Sequence, residues 1–191
     1  GEAGNSAEYR LSLDNAEYAE WLVALLDALG LQSVSLAGNS LGGWMALKFA
    51  TAYPARVERL MLIASGGLAD VNRHYLEKAA EAEENGEELT FDEDVTGGVA
   101  IPKEILDFLN LILASYNPIS VPLPVFSGEA LEKLTMPVLY VAGEADDLLD
   151  TQAGEAAVRA HIPQAEIHLL PGVGHMIPNP SVWMLPFLAQ H

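Results

Sequence analysis

Ser40 stands between two glycines in the run Gly38-Asn39-Ser40-Leu41-Gly42, and a third glycine follows at Gly43. A serine hydroxyl is a poor nucleophile at its own pKa. Chemistry at Ser40 therefore needs a base to take its proton and donors for the negative oxygen that forms after attack. The residues around it fit such a role. Ser33-Val34-Ser35-Leu36-Ala37 before it is a β-type run, and Gly43 to Tyr53 after it is helical and stopped by Pro54. A serine at so tight a strand-to-helix turn is a nucleophile elbow: the backbone bends so sharply that glycines are needed beside it, and the hydroxyl is pushed above the sheet. The G-x-S-x-G pattern alone is weak. With a strand before it and a helix after it, the match is strong.

On this stretch the chain resembles the α/β-hydrolase family. The resemblance implies a triad in the chain order Ser, then Asp or Glu, then His, with the last two on loops after later strands. Three further apolar runs read as strands. Val57 to Ala64 ends at Ser65-Gly66-Gly67, Pro137 to Ala142 runs into Gly143-Glu144-Ala145-Asp146, and Ala165 to Leu170 leads through Pro171-Gly172-Val173-Gly174 to His175. Asp146 is the expected acid and His175 the expected base, each just past the carboxyl end of a strand, where open parallel sheets place their ligands. Asp147 next door and Asp70 after the second strand are the alternatives for the acid. His175 competes with His74 in a charged helical stretch, His161 at a helix end, His168 inside a strand and the terminal His191. Only His175 follows a strand through a glycine-rich loop.

In this reading His175 removes the Ser40 proton and returns it to the leaving group, while Asp146 holds the imidazole tautomer. The N–H of Leu41, at the positive end of the following helix, is the expected oxyanion donor. A second donor in the family comes from a loop upstream of the elbow, and no residue of this chain is assigned to it. Only 37 residues precede Gly38, fewer than the resemblance requires, so the chain reads as starting in mid-domain and Gly4-Asn5-Ser6 as the tail of an earlier loop. Two expectations result. The chain alone hydrolyses esters poorly, since one missing donor costs about 10²–10³ in turnover. The strand at 33–37 is an open edge, so it pairs with a complementing N-terminal segment or a second copy in a homo-oligomer.

Alternating strands and helices predict an α/β fold: a three-layer α/β/α sandwich on a mostly parallel sheet. The core is assigned to 1–67 and 135–191. Residues 68–134 are too long for a simple connection, and the resemblance implies a helical cap there. Within it, helical runs are expected at Val71 to Glu84 and from Pro102, with Ile105, Leu106, Leu109, Ile112 and Leu113 at helical spacing. Most of these apolar residues are expected to pack on the main domain. Pro118, Pro122 and Pro124 suggest an extended return, and Gly97 and Gly98 a place where the cap moves. Asp14 with Glu17 reads as a capping box for a helix whose Tyr18, Trp21, Leu22, Leu25, Leu26 and Leu29 share one face, stopped by Gly30. A run from Asp150 to His161 joins the third and fourth strands.

The formal charge is −18, much of it between Glu77 and Asp94, and such a field repels nucleic acid and anionic membranes. Cysteine is absent, which excludes disulfides, thiol catalysis and thiolate metal sites. The acidic cluster lacks the spaced ligands of a calcium loop, so no metal is expected. No apolar stretch approaches the roughly 20 residues that span a bilayer. No signal peptide is visible either, and the expected location is the cytoplasm. Together these features point to a serine hydrolase acting on carboxylic esters, with water as second substrate and no cofactor. The Gly-Asn-Ser-Leu-Gly-Gly version of the turn is also similar to that of hydrolases that cleave carbon–carbon bonds in ring-fission products. A non-catalytic binding protein of the same fold is the other alternative. A Ser rather than an Asp nucleophile argues against haloalkane dehalogenase or epoxide hydrolase chemistry.

Overall fold

The structure, a computed structural model, describes residues 7–85, 102–115 and 122–190. Glu17–Ala28 (α1) precedes Val34–Asn39 (β1), Leu41–Ala52 (α2) and, after a tight turn at Pro54–Arg56, Val57–Ile63 (β2). Arg73–Asn85 (α3), Lys103–Ser115 (α4) and Gly128–Leu131 (α5) lie on the long excursion to Val138–Gly143 (β3). Thr151–His161 (α6), Glu166–Leu170 (β4) and Ser181–Gln190 (α7) follow. The four strands form one sheet in the order β1-β2-β3-β4, and every neighbouring pair is parallel.

Parallel strands buried on both faces need apolar residues at consecutive positions, and β3 is buried at all six. Alternate residues of the inner strands serve different layers. Leu60, Leu62, Val138 and Tyr140 join Leu26 of α1, Leu47 and Phe49 of α2, and Val158 of α6 in the larger core. Met61, Ile63, Leu139 and Val141 point to the other face and meet Phe187 of α7, with Trp183, Met184 and Leu188 around it. The expected three-layer fold is therefore present among the described residues.

Several boundaries differ from those expected, each for a physical reason. α2 begins at Leu41, directly on the turn, rather than at Gly43. β2 ends at Ile63 because Ala64 takes a left-handed φ of 41°. The capping box at Asp14 does not form. Ala16 occupies the N-cap without a side-chain bond, and Glu17 instead accepts from the Ser12 N–H at 2.9 Å. Only part of the expected α1 face is covered. Ala19 and Leu26 are buried, whereas Trp21, Leu25 and Leu29 are exposed, because α1 is packed on α2 through a narrower strip. Pro102 lies just before α4, its carbonyl accepting from the Ile105 N–H at 2.9 Å. On α4, Ile105, Phe108 and Leu111 face solvent, and Leu106, Leu109 and Ile112 are half-buried. Gly97, Gly98, Pro118 and the acidic run from Glu87 to Asp94 lie outside the described residues.

α7 is an element that the sequence pattern did not reveal. Pro186 sits inside it, removing one backbone donor. Both Pro186 and Val182, whose carbonyl loses its partner, are exposed, so water can satisfy the group. Among the described residues no helix is long and apolar enough to cross a membrane.

Candidate active site

The backbone at Ser40 is bent into φ 51° and ψ −115°, a region that non-glycine residues rarely occupy. Such a bend persists only where its surroundings over-determine it. The Ser40 N–H donates to the Ile63 carbonyl at 3.0 Å, and the Ser40 carbonyl accepts from the N–H groups of Trp44 and Gly66, each at 3.1 Å. The end of β2 thus grips the turn from the side. A side chain at Gly38 would run into the backbone of Gly42 and Gly43, and one at Gly43 would run into Ser65. At Gly42 it would meet nothing within 4 Å. Gly38 and Gly43, rather than the second glycine of the motif, therefore provide the close approach. Gly38→Ala is expected to destabilise the fold by about 2–3 kcal/mol. Gly42→Ala, inside a helix, should leave stability unchanged or raise it by up to about 1 kcal/mol. Urea unfolding of the two variants checks the contrast, and equal losses would contradict it.

His175 reaches the turn from the loop after β4. Gly143, at the end of β3, lets that loop cross: a side chain there would strike the carbonyls of Val173 and Gly174. The Ala145 N–H then donates to the Val173 carbonyl at 2.9 Å. The outcome is a continuous chain of contacts. His175 Nε2 lies 2.9 Å from Ser40 Oγ, and His175 Nδ1 lies 2.9 Å from Asp146 Oδ2. The other carboxylate oxygen, Asp146 Oδ1, accepts from the N–H groups of Leu148 and Leu149 at 2.9 Å each. The Asp146 side chain is fully shielded from solvent and the His175 side chain nearly so. An ionised carboxylate accepts only, so Nδ1 carries the proton and Nε2 is left to accept from the Ser40 hydroxyl. Leu41 opens α2, and its N–H has no intrahelical acceptor because it lies in the first turn.

The rival residues are placed elsewhere. Asp70 is exposed, with its carbonyl accepting from the Asp150 N–H at 3.3 Å, and Asp147 is half-buried outside the hydrogen-bonded chain. His161 pairs with Glu132 at 3.0 Å and His168 with Glu166 at 2.6 Å, while His74 is exposed on α3. His191 lies outside the described residues. Tyr140 is a further buried titratable group near Asp146. Burial first, then the negative charges of Asp146, Glu155 and Asp150, push its phenol far above its ordinary value, so it stays protonated and is no rival base.

A sequence model described as "Alpha/beta hydrolase family" matches residues 3–184. The chain belongs to that family. Carboxylesterase YbfK of Bacillus subtilis is 27% identical over 179 residues, covering 85% of this chain and 58% of that protein. The crystal structure of the same esterase superposes with a TM-score of 0.73 at 25% identity, covering 92% of this chain and 67% of that one. A 2-hydroxy-6-oxo-6-phenylhexa-2,4-dienoate hydrolase of Burkholderia cepacia is 28% identical over 173 residues, covering 79% of this chain and 59% of that protein. This α/β-hydrolase chain thus spans little more than half the length of these two curated relatives.

Proposed function

We propose that the chain carries the catalytic centre of a serine hydrolase acting on carboxylic esters, with Ser40 as nucleophile, His175 as general base and acid, and Asp146 as its orienting carboxylate. The observation that carries this reading is the unbroken Asp146–His175–Ser40 contact chain at 2.9 Å per step. Attack of Ser40 Oγ on the ester carbonyl passes the hydroxyl proton to His175 Nε2, and Asp146 stabilises the imidazolium that forms. The tetrahedral oxyanion is placed to accept from the Leu41 N–H, at the positive end of the 12-residue α2. Collapse hands the His175 proton to the departing alkoxide and leaves an acyl group on Ser40. Water, activated by His175, then releases the acid.

Two kinds of relative support different substrates: one is named a carboxylesterase, the other a 2-hydroxy-6-oxo-6-phenylhexa-2,4-dienoate hydrolase. The ester reading is favoured by charge. Carbon–carbon cleavage of ring-fission products involves anionic substrates. Arg56, Arg59, Arg73, Lys103 and Arg159 each pair with a carboxylate in their own neighbourhood. The test is a fluorophosphonate probe: labelling at Ser40, lost in Ser40→Ala, supports the hydrolase. No labelling in a version extended to the length of its relatives supports a non-catalytic binding protein. Faster turnover of a ring-fission acid than of p-nitrophenyl esters would favour the second enzyme reading.

We propose in addition that β1 takes up a further strand along its free edge, from another polypeptide segment or a second copy. Among the described residues β1 pairs with β2 alone, and its Ser35, Ala37 and Asn39 are exposed. Beside them, Arg59 Nε is buried without a hydrogen-bond partner among the described residues. A shallow cavity lined by Ala37, Asn39, Ile177 and Met184 opens on the same face. The 191-residue chain is expected to self-associate in light-scattering measurements, and strictly monomeric behaviour at high concentration would count against the proposal.

A further inference from the structure

The loop that carries Asp146 has an anchor that proton transfer does not call on. The segment after β2 runs antiparallel to the segment after Asp146: Val71 bridges Leu149, and the Asn72 N–H donates to the Leu148 carbonyl at 2.8 Å. The Asn72 side chain adds two contacts. Its Nδ2 donates to the Asp146 carbonyl at 3.4 Å, and its Oδ1 accepts from the His74 N–H at 3.0 Å where α3 begins. Asn72 is half-buried and exchanges no proton with Ser40 or His175.

The two N–H groups that grip Asp146 Oδ1 come from Leu148 and Leu149, within the acid's own loop. Bonds of that kind fix the carboxylate relative to the loop, not relative to the nucleophile. The nucleophile is referenced to β2, since Ile63 and Gly66 hold both backbone groups of Ser40. Asn72 lies on the same chain segment a few residues further on. We propose that Asn72 is a positioning residue that ties the Asp146 loop to the β2 end and so sets acid and nucleophile in one frame. This inference rests on the triad roles proposed above. It makes the first residues of the β2–β3 excursion part of the alignment of the acid as well as the start of α3.

Asn72→Ser tests it. A serine still caps α3 through its hydroxyl but is too short to reach the Asp146 carbonyl. Two readouts are taken: the low-field proton resonance of the His175 Nδ1–H bonded to Asp146, and the rate of fluorophosphonate labelling. The expected result is a shifted or broadened resonance with labelling slowed about tenfold, the scale of a small misplacement, while the melting temperature stays close to wild type. Asn72→Asp, which keeps size and capping acceptor but puts an acceptor in place of the amide donor, should produce the same loss. It decides the matter alone if the serine variant does not fold. A wild-type resonance and labelling rate in either folded variant would overturn the proposal and leave Asn72 as a helix cap only. The resonance needs no substrate. A version extended to the length of its relatives that stays unlabelled, while its resonance moves on Asn72→Ser, would refute the hydrolase reading and spare this one.

Discussion

Ser40→Ala should reduce ester turnover about 10⁶-fold, and His175→Ala by the same order, with the double variant losing little more. The residues act as one unit. Among the described residues Ser40 Oγ has a single contacting base, His175 Nε2 at 2.9 Å, so removal of either partner is expected to remove proton transfer. The turn itself should survive, because its φ of 51° is held by backbone bonds from Ile63, Trp44 and Gly66. Stability of Ser40→Ala is therefore expected to match wild type, which separates chemistry from folding. Single-turnover measurements with a p-nitrophenyl ester provide the check. If His175→Ala kept more than a tenth of the wild-type rate, the base would have to be sought elsewhere.

Asp146→Asn is expected to cost about 10⁴-fold, and the site's geometry states why. One oxygen of the carboxylate accepts from two backbone N–H groups, those of Leu148 and Leu149. An asparagine must put its own oxygen there, since its NH₂ would face two donors. Its NH₂ then points at His175 Nδ1, which must become an acceptor. The imidazole proton moves to Nε2, the atom that should accept from Ser40. The variant is thus folded and holds the wrong tautomer. Stability should fall by only about 1–2 kcal/mol, because the neutral amide keeps both backbone bonds in weaker form. Retention of the labelling rate within tenfold, with a normal urea midpoint, would remove Asp146 from the role assigned to it.

The three residues that come together were readable because each follows a short strand run at a glycine-bearing turn or loop. Apolar runs so short, and bounded by glycines, suit buried strands better than helices. Which histidine faces the turn was also legible, since only His175 has both features. What lay beyond reach depends on contacts between distant segments. Gly143 is unremarkable in the sequence until the Val173–Gly174 backbone crosses it. Ala64 carries a left-handed φ that its residue type gives no reason to expect. Asn72 is a polar residue before a helix, and only the fold brings its amide to Asp146. Periodicity marked the apolar face of α1 but could not say how much of it a neighbour would cover, and Trp21, Leu25 and Leu29 are uncovered. Pro186 concealed α7, because a proline within ten residues reads as an interruption.

Ser40, Asp146 and His175 follow the ends of β1, β3 and β4, whereas the end of β2 gives only backbone to the turn and then departs into the long excursion before β3. Division of labour of this sort separates selectivity from reactivity during evolution. Sequence drift or length change beyond Asn72 leaves the Asp146–His175–Ser40 contacts in place. Diversification of such a scaffold is expected to concentrate there.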